Sequence, residues 1–367
     1  MITLDRVHPG PDSWVCREGF CGTDQPSRLA VDAAGPRNFA SAINEDAADP
    51  YLWADYADSL AADGDVDKAG RAMDHAVSLG PNLPPVLIRA SYFDFTHERF
   101  QGGAALSSRI LSETSAFDPL IFSYLQYFGR GSEAILGTGI PAARRPAQSW
   151  ASWVGMNGAE NDVRKTWAWM TQNHLMDQPA ALDLTWKLWR RQFFRSAQEL
   201  WSDWLGPTEG DGPAGQLVFD SRFQDGPNGS PFDWSIPSQA SVDVSRDHGL
   251  EVRFLGTENV KLDGIRQSVI VIPGQYRFSA IIESDGLTTD QGPFFGIFDV
   301  ADSGRVDVRT AQIKGVTERS SIGCDFIVPH GTDALTIELE RSASDRFDNK
   351  IKGTLHVYQV SLIRRDR

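Results

Sequence analysis

The feature that most constrains this chain is a change in the period of its apolar residues. Up to about residue 205, apolar and small residues recur at helical spacing; from about residue 216 they alternate with polar ones. Gly206 and Pro207 break the pattern, and the run that follows, PTEGDGPAG, is short, polar and rich in Gly and Pro. A run of helices followed by a run of strands implies separate layers or separate domains, and 367 residues are enough for two. The expected organisation is an irregular leader over 1–36, a helical region over 37–207, a linker over 208–215 and an antiparallel β-sandwich over 216–367.

In the first half, DPYLWADYADSLAADGDVDKAGRAMDHAVSLGP predicts a helix from about Tyr51 to Ala62 and another from Val66 to Leu79. One face of the first presents Trp53, Tyr56, Ala57 and Leu60; the second presents Ala69, Met73, Ala76 and Val77. Small residues at 57, 69 and 76 let the helices approach closely, Gly64 supplies the turn and Pro81 stops the second helix. With Asp65, these residues resemble the 34-residue tetratricopeptide repeat. The resemblance implies an array of antiparallel helix pairs that holds a protein partner, because one repeat cannot bury its own face. Residues 85–119 read as a weaker copy, with Phe100 after the turn, small residues at Gly102 and Gly103, and Pro119 at the end. Beyond it, Trp150/Trp153, Trp186/Trp189 and Trp201/Trp204 are each three apart, so each pair shares a helix face. Such a stripe serves interhelical packing or an aromatic ligand groove, and packing is the commoner use.

In the second half, LEVRF (250–254), IRQSVIVI (265–272), QYRFSAII (275–282), FFGIFDV (294–300), IGCDFIV (322–328), ALTIELE (334–340) and TLHVYQVSLI (354–363) read as strands. Turn residues separate them and no helix intervenes, so they predict an antiparallel sandwich. The opening VFDSRFQDGPNGSPFDWSI and the closing GTLHVYQVSLI resemble the first and last strands of jelly-roll carbohydrate-binding modules. Residues 265–299 and 340–362 resemble a narrower group of bacterial proteins. In that group a tetratricopeptide array precedes such a module, near exopolysaccharide or exosortase-type secretion systems. The resemblance implies a non-enzymatic scaffold whose sandwich binds glycan during exopolysaccharide assembly or export. Many such modules hold a structural calcium through a carboxylate after the first strand and an Asp in the last. The matching positions here are Gln224 and Tyr358-Gln359, with Asp225 as a substitute, so the calcium site is expected to be lost and no cofactor is expected.

The net charge of −14 disfavours nucleic acid and anionic lipid as partners. No run of eighteen apolar residues is present, so no transmembrane segment is expected. The first residues lack a basic n-region and an apolar h-region. The location expected is periplasmic or cell-envelope if a targeting segment precedes this chain, and cytoplasmic otherwise. Cys324 alternates with Ile322 and Phe326 and reads as a small core residue in a strand; Cys16 and Cys21 are either a local disulfide or two reduced thiols. No nucleophile elbow, P-loop, zincin helix or C-x-x-C pair occurs, so no enzyme is expected. Two alternatives stay open: an interaction module whose sandwich has lost sugar affinity, and a glycan-active enzyme, to which a carboxylate pair in a deep cleft would point.

A sugar site on a sandwich needs aromatic faces for the pyranose ring and planar polar groups for its hydroxyls. The aromatic candidates are Trp234, Tyr276, Phe294, Phe295, Phe298, His356 and Tyr358, with most of them expected in the core. Alternation puts Phe294 and Phe298 on one face of a strand and Phe295 on the other. The polar candidates Arg341, Asp348, Asn349 and Lys350 precede the last strand; Thr288, Asp290 and Phe294 belong to a second segment, 288–295. The ligand site is expected where these two segments meet. Arg341 would donate in a planar fork, and Asp348 with Asn349 would bond vicinal hydroxyls. In the alternative reading an Arg–Asp pair simply ties the hairpin down.

Overall fold

The computed structural model describes residues 36–129, 131–206 and 215–365. Cys16 and Cys21, and most of the 208–215 segment, lie outside the described residues. Among the described residues eleven helices precede nine strands. The chain divides into two compact units, residues 1–153 with 168–175, and residues 154–167 with 176–367.

The first unit holds α1 (Pro36–Glu45), α2 (Pro50–Ala62), α3 (Val66–Leu79), α4 (Pro84–Thr96), α5 (Phe100–Glu113), α6 (Asp118–Phe128) and the single turn α7 (Ser132–Ile135). The division between units runs through α8 (Arg144–Asn157) and α9 (Glu160–Gln172). Local chemistry sets the helix ends. Asp49 accepts the amide of Tyr51, Pro50 fixes the first helical residue of α2, and Asp65 accepts the amide of Lys68 to cap α3. Gly64, at φ +85°, turns the chain between them. Ala54, Ala57, Ala69, Met73 and Ala76 are buried in the seam, with Trp53 and Tyr56 half-buried beside them. In the next pair a Cβ at Gly103 would collide with the Phe95 ring and the Ser91 carbonyl, so α4 and α5 meet almost backbone to backbone. Trp150 is buried edge-on against Phe122 at 5.4 Å, and Trp153 donates to Gln126 at 3.3 Å, so this tryptophan pair serves packing between helices.

The second unit holds α10 (Gln178–Arg190), α11 (Phe194–Leu205) and a sandwich of β1 (Val242–Ser245), β2 (Leu250–Leu255), β3 (Leu262–Ile270), β4 (Gly274–Leu287), β5 (Phe294–Asp299), β6 (Asp307–Arg309), β7 (Gly315–Val328), β8 (Ala334–Arg341) and β9 (Lys352–Arg365). One sheet has the order β1-β2-β9-β4-β7 and the other β3-β8-β5-β6, with every described pairing antiparallel. From β2 onward the chain mostly alternates between sheets, the jelly-roll habit. The core between them includes Phe254, Phe278, Phe295, Ile337, Leu339, Leu355 and Val357. All seven expected strands are present. The two unexpected ones, β1 and β6, have four and three residues, too few for an alternation to register.

Residues 216–241 form turns and isolated bridges where the resemblance implied a first strand. Trp234 closes this segment from inside: it is buried against Phe223 at 4.8 Å and donates Nε1 to the Asp220 carbonyl. Trp186 and Trp189 of α10 secure the same segment, through a 2.9 Å bond to the Gly229 carbonyl and an edge contact on Phe232. Cys324 lies in a strand and packs against the core, as expected, but is only half-buried, because β7 is an edge strand with no neighbour on its far side. Among the described residues no helix is long and apolar enough to cross a membrane.

Candidate functional site

Segments 288–295 and 341–350 lie together at one end of the sandwich. Arg341 is 1% exposed; it donates to the Gln291 carbonyl at 2.8 Å, to Thr289 Oγ1 at 3.3 Å and to the Val260 carbonyl. Its planar fork is therefore occupied by loop oxygens. Asp290 accepts from Ser344 at 2.6 Å and lies 3.1 Å from Arg346. Thr288 exchanges backbone bonds with the start of β9: its amide donates to the Lys352 carbonyl, and its hydroxyl accepts the Lys352 amide and donates to the Lys350 carbonyl. Phe294 is buried, with the Arg309 guanidinium 5.9 Å above its ring. Asp348 and Lys350 are exposed and Asn349 half-buried; beside them Phe347 is fully exposed. The remaining aromatics divide by face. Trp234, Tyr276 and Phe295 are in the core, Phe298 is half-buried on the outer face of β5, and His356 and Tyr358 stand half-buried on the outer face of β9.

The outer face of the five-stranded sheet carries a second set of polar and aromatic groups. Val357 and Leu355 point inward and are buried, so His356 points out. Tyr358 sits at a β-bulge: Val357 pairs with Ile282 and Gln359 with Ile281, which leaves Tyr358 as the extra residue. Alternation about the buried Val357 puts its side chain on the same outer face as His356, and the bulge then shifts the phase so that Val360 and Leu362 return to the core. The two rings stand 6.2 Å apart with planes only 17° from parallel. Three neighbouring strands hold them in place. Tyr358 donates its hydroxyl to Glu283 on β4 at 2.7 Å, Arg319 on β7 stacks 4.0 Å from the Tyr358 ring, and His356 Nδ1 lies 3.6 Å from Glu251 on β2. The bond to Glu283 fixes the phenolic proton and raises the tyrosine pKa. A pre-set pair of near-parallel rings costs little ordering entropy when a flat apolar surface lands on it.

Near the first turn, Asp220 and Asp233 are buried. Asp220 accepts the Gln224 amide at 2.6 Å and Asp233 the amides of Asn228 and Trp234 at 2.7 Å each. Arg246 donates to the Asp225 carbonyl and lies 3.7 Å from Asp220. Gln224 and Asp225 thus belong to a turn held by amides and a guanidinium. Among the described residues no group of three or more His, Cys, Asp or Glu is placed to hold a metal ion.

No protein-family model and no curated protein matches the chain. Among solved structures, a tetratricopeptide protein, YrrB, described as having an unusual peptide-binding site, is 13% identical; the match covers 45% of this chain and 90% of that one, with a TM-score of 0.25. A family 16 carbohydrate-binding module is also 13% identical, over 40% of this chain and 99% of that one, with a TM-score of 0.29. A monomeric IFIT1 mutant with Gppp-AAAA is 14% identical over 47% and 46%, with a TM-score of 0.23.

The i, i+2 spacing of His356 and Tyr358 was legible as one face of a strand. Their partners Glu251, Glu283 and Arg319 come from three other strands, and only the pairing register brings them together. Sequence reasoning also passed over Phe347, for which no local pattern distinguishes an exposed phenylalanine from a core one.

Proposed function

We propose that this protein is a non-enzymatic scaffold whose sandwich binds glycan on the outer face of the five-stranded sheet and whose helical array holds a protein partner. In this reading it serves exopolysaccharide assembly or export. The observation that carries the sugar site is the His356–Tyr358 ring pair, near-parallel and fixed from three strands. The C–H face of a pyranose would take the place of the Arg319 guanidinium on the rings, while Glu251, Glu283 and the displaced Arg319 would reach its hydroxyls. Affinity electrophoresis of the full chain in gels containing galactomannan or hydroxyethyl cellulose tests this. The parent should be retarded in at least one gel, and Tyr358→Ala should run free with its melting temperature nearly unchanged. A Tyr358→Ala protein retarded as strongly as the parent would count against this face.

A second reading places the ligand at the loop end, and the fully exposed Phe347 beside Asp348 and Asn349 favours it. There Phe347 would stack on the sugar and Asn349 bond a hydroxyl. In the same gels Phe347→Ala and Asn349→Ala would then abolish retardation, whereas the sheet-face reading leaves it intact.

A further inference from the structure

The four-stranded sheet has an outer face of its own, and its chemistry differs from that of the ring platform. β8 carries Glu338 and Glu340 on either side of the fully buried Leu339, so both carboxylates belong to the outward face. They floor an open cleft of about 470 Å³ walled by Lys261, Asp263, Arg266 and Phe298.

Three features of the backbone build this cleft. β3 bulges between Leu262 and Ile265, where Gly264 takes φ +87° and donates its amide to the Glu338 carboxylate. On β5, Gly296 lies opposite Glu338, and any side chain at Gly296 would collide with the Glu340 carboxylate. The buried Arg341 grips the Val260 carbonyl and so fixes the wall that begins at Lys261. Arg341 is thus a positioning residue at the end of the cleft.

The cleft offers hydrogen-bond donors and acceptors together. Three carboxylates, at Asp263, Glu338 and Glu340, stand there with two cations, Lys261 and Arg266. Lys261 and Asp263 already lie 3.0 Å apart. A neutral polyol matches this mixture, since each hydroxyl both donates and accepts. It takes hydrogen bonds from Lys261 and Arg266, gives them to Glu338 and Glu340, and rests an apolar face on Phe298. We infer that this cleft is a second binding site for a neutral sugar, on the sheet opposite the His356–Tyr358 platform. The inference rests on the proposed glycan function for its ligand class but not for its location. Burial, reinforced by the charge of Glu338, raises the Glu340 pKa. With a site on each sheet, one chain bridges two glycan strands.

The test uses the full chain, calorimetric titration with mannohexaose and cellohexaose, and light scattering of mixtures with galactomannan. The parent should bind about two oligosaccharides per chain, and its scattering should pass through a maximum as the protein-to-glycan ratio rises. Phe298→Ala and Arg266→Ala should each weaken one site by roughly tenfold or more and remove the scattering maximum while gel retardation persists. Arg266 is exposed, so its variant decides the matter if Phe298→Ala fails to fold. A parent that binds one oligosaccharide, unaffected by either substitution but lost in Tyr358→Ala, overturns the cleft and leaves the platform standing. Binding lost in Arg266→Ala but untouched by Tyr358→Ala supports the cleft and overturns the platform. A parent that binds none of the three glycans contradicts both.

Discussion

Asp220 is a carboxylate almost wholly removed from water, and burial, the largest influence on it, raises its pKa to about 6. Amides from Gln224 and Asp225 and the nearby Arg246 only partly offset this. The folded state therefore holds the Asp220 proton more tightly than the unfolded chain does. The stability contributed is complete below the unfolded pKa and is lost as pH rises through about 6. Asp220→Asn keeps an oxygen for the Gln224 amide and removes the titration. Its stability relative to the parent should improve by on the order of 2 kcal/mol between about pH 4 and pH 7, read from denaturant melts. A constant difference across that range would show that Asp220 does not titrate as described. Ala69 makes a simpler test of packing. It is fully buried in the α2–α3 seam, and Ala69→Leu should cost roughly 1–3 kcal/mol through overpacking. An unchanged melting curve would contradict that seam. The alanine seam was legible because small residues at helical spacing have few other uses. The fate of Arg341 was not, because a buried arginine bound to backbone oxygens reads in sequence like any other arginine.

Among the elements, those with a long clean period were the most legible. α3 runs from Val66 to Leu79 as its pattern implied, and β4, β8 and β9 enclose the alternating runs that predicted them. Departures from the period were harder to read. The bulge at Tyr358 adds one residue to β9, and the bulge at Gly264 shifts the register of β3 against β8; each shows only as a single three-residue step between core residues, Val357 to Val360 and Leu262 to Ile265. Both bulges lie at the candidate sites. The loop end is an element held by one side chain, since Arg341 joins Val260, Thr289 and Gln291. Arg341→Met fills similar volume but leaves two carbonyls and a hydroxyl without that donor. It should destabilise the sandwich by about 2–4 kcal/mol. Hydrogen exchange should quicken at residues 288–292, and a variant with parental exchange there would show that the guanidinium is not what holds the loop.

At the scale of the molecule, the change of period near residue 206 located the change from helices to strands. It did not reveal that α10 and α11 pack with the strands. That contact depends on Trp186, Trp189 and Arg195 meeting Gly229, Phe232 and Asp333, a tertiary match invisible to local pattern. The Arg195–Asp333 pair is exposed and adds little, so most of the coupling comes from the aromatic contact. A fragment of residues 176–367 should therefore melt roughly 4–8 °C above one of residues 216–367. Equal melting temperatures would mean that the helix pair adds nothing to the sandwich. The central claim, that the outer face of the five-stranded sheet takes a sugar, is tested most directly by hydrogen exchange of the full chain with and without the glycan that retards it. The account predicts slowed exchange in β9 around His356–Tyr358 and in the facing stretches of β4 and β7. Slowing confined to residues 342–350, with β9 unchanged, would contradict it.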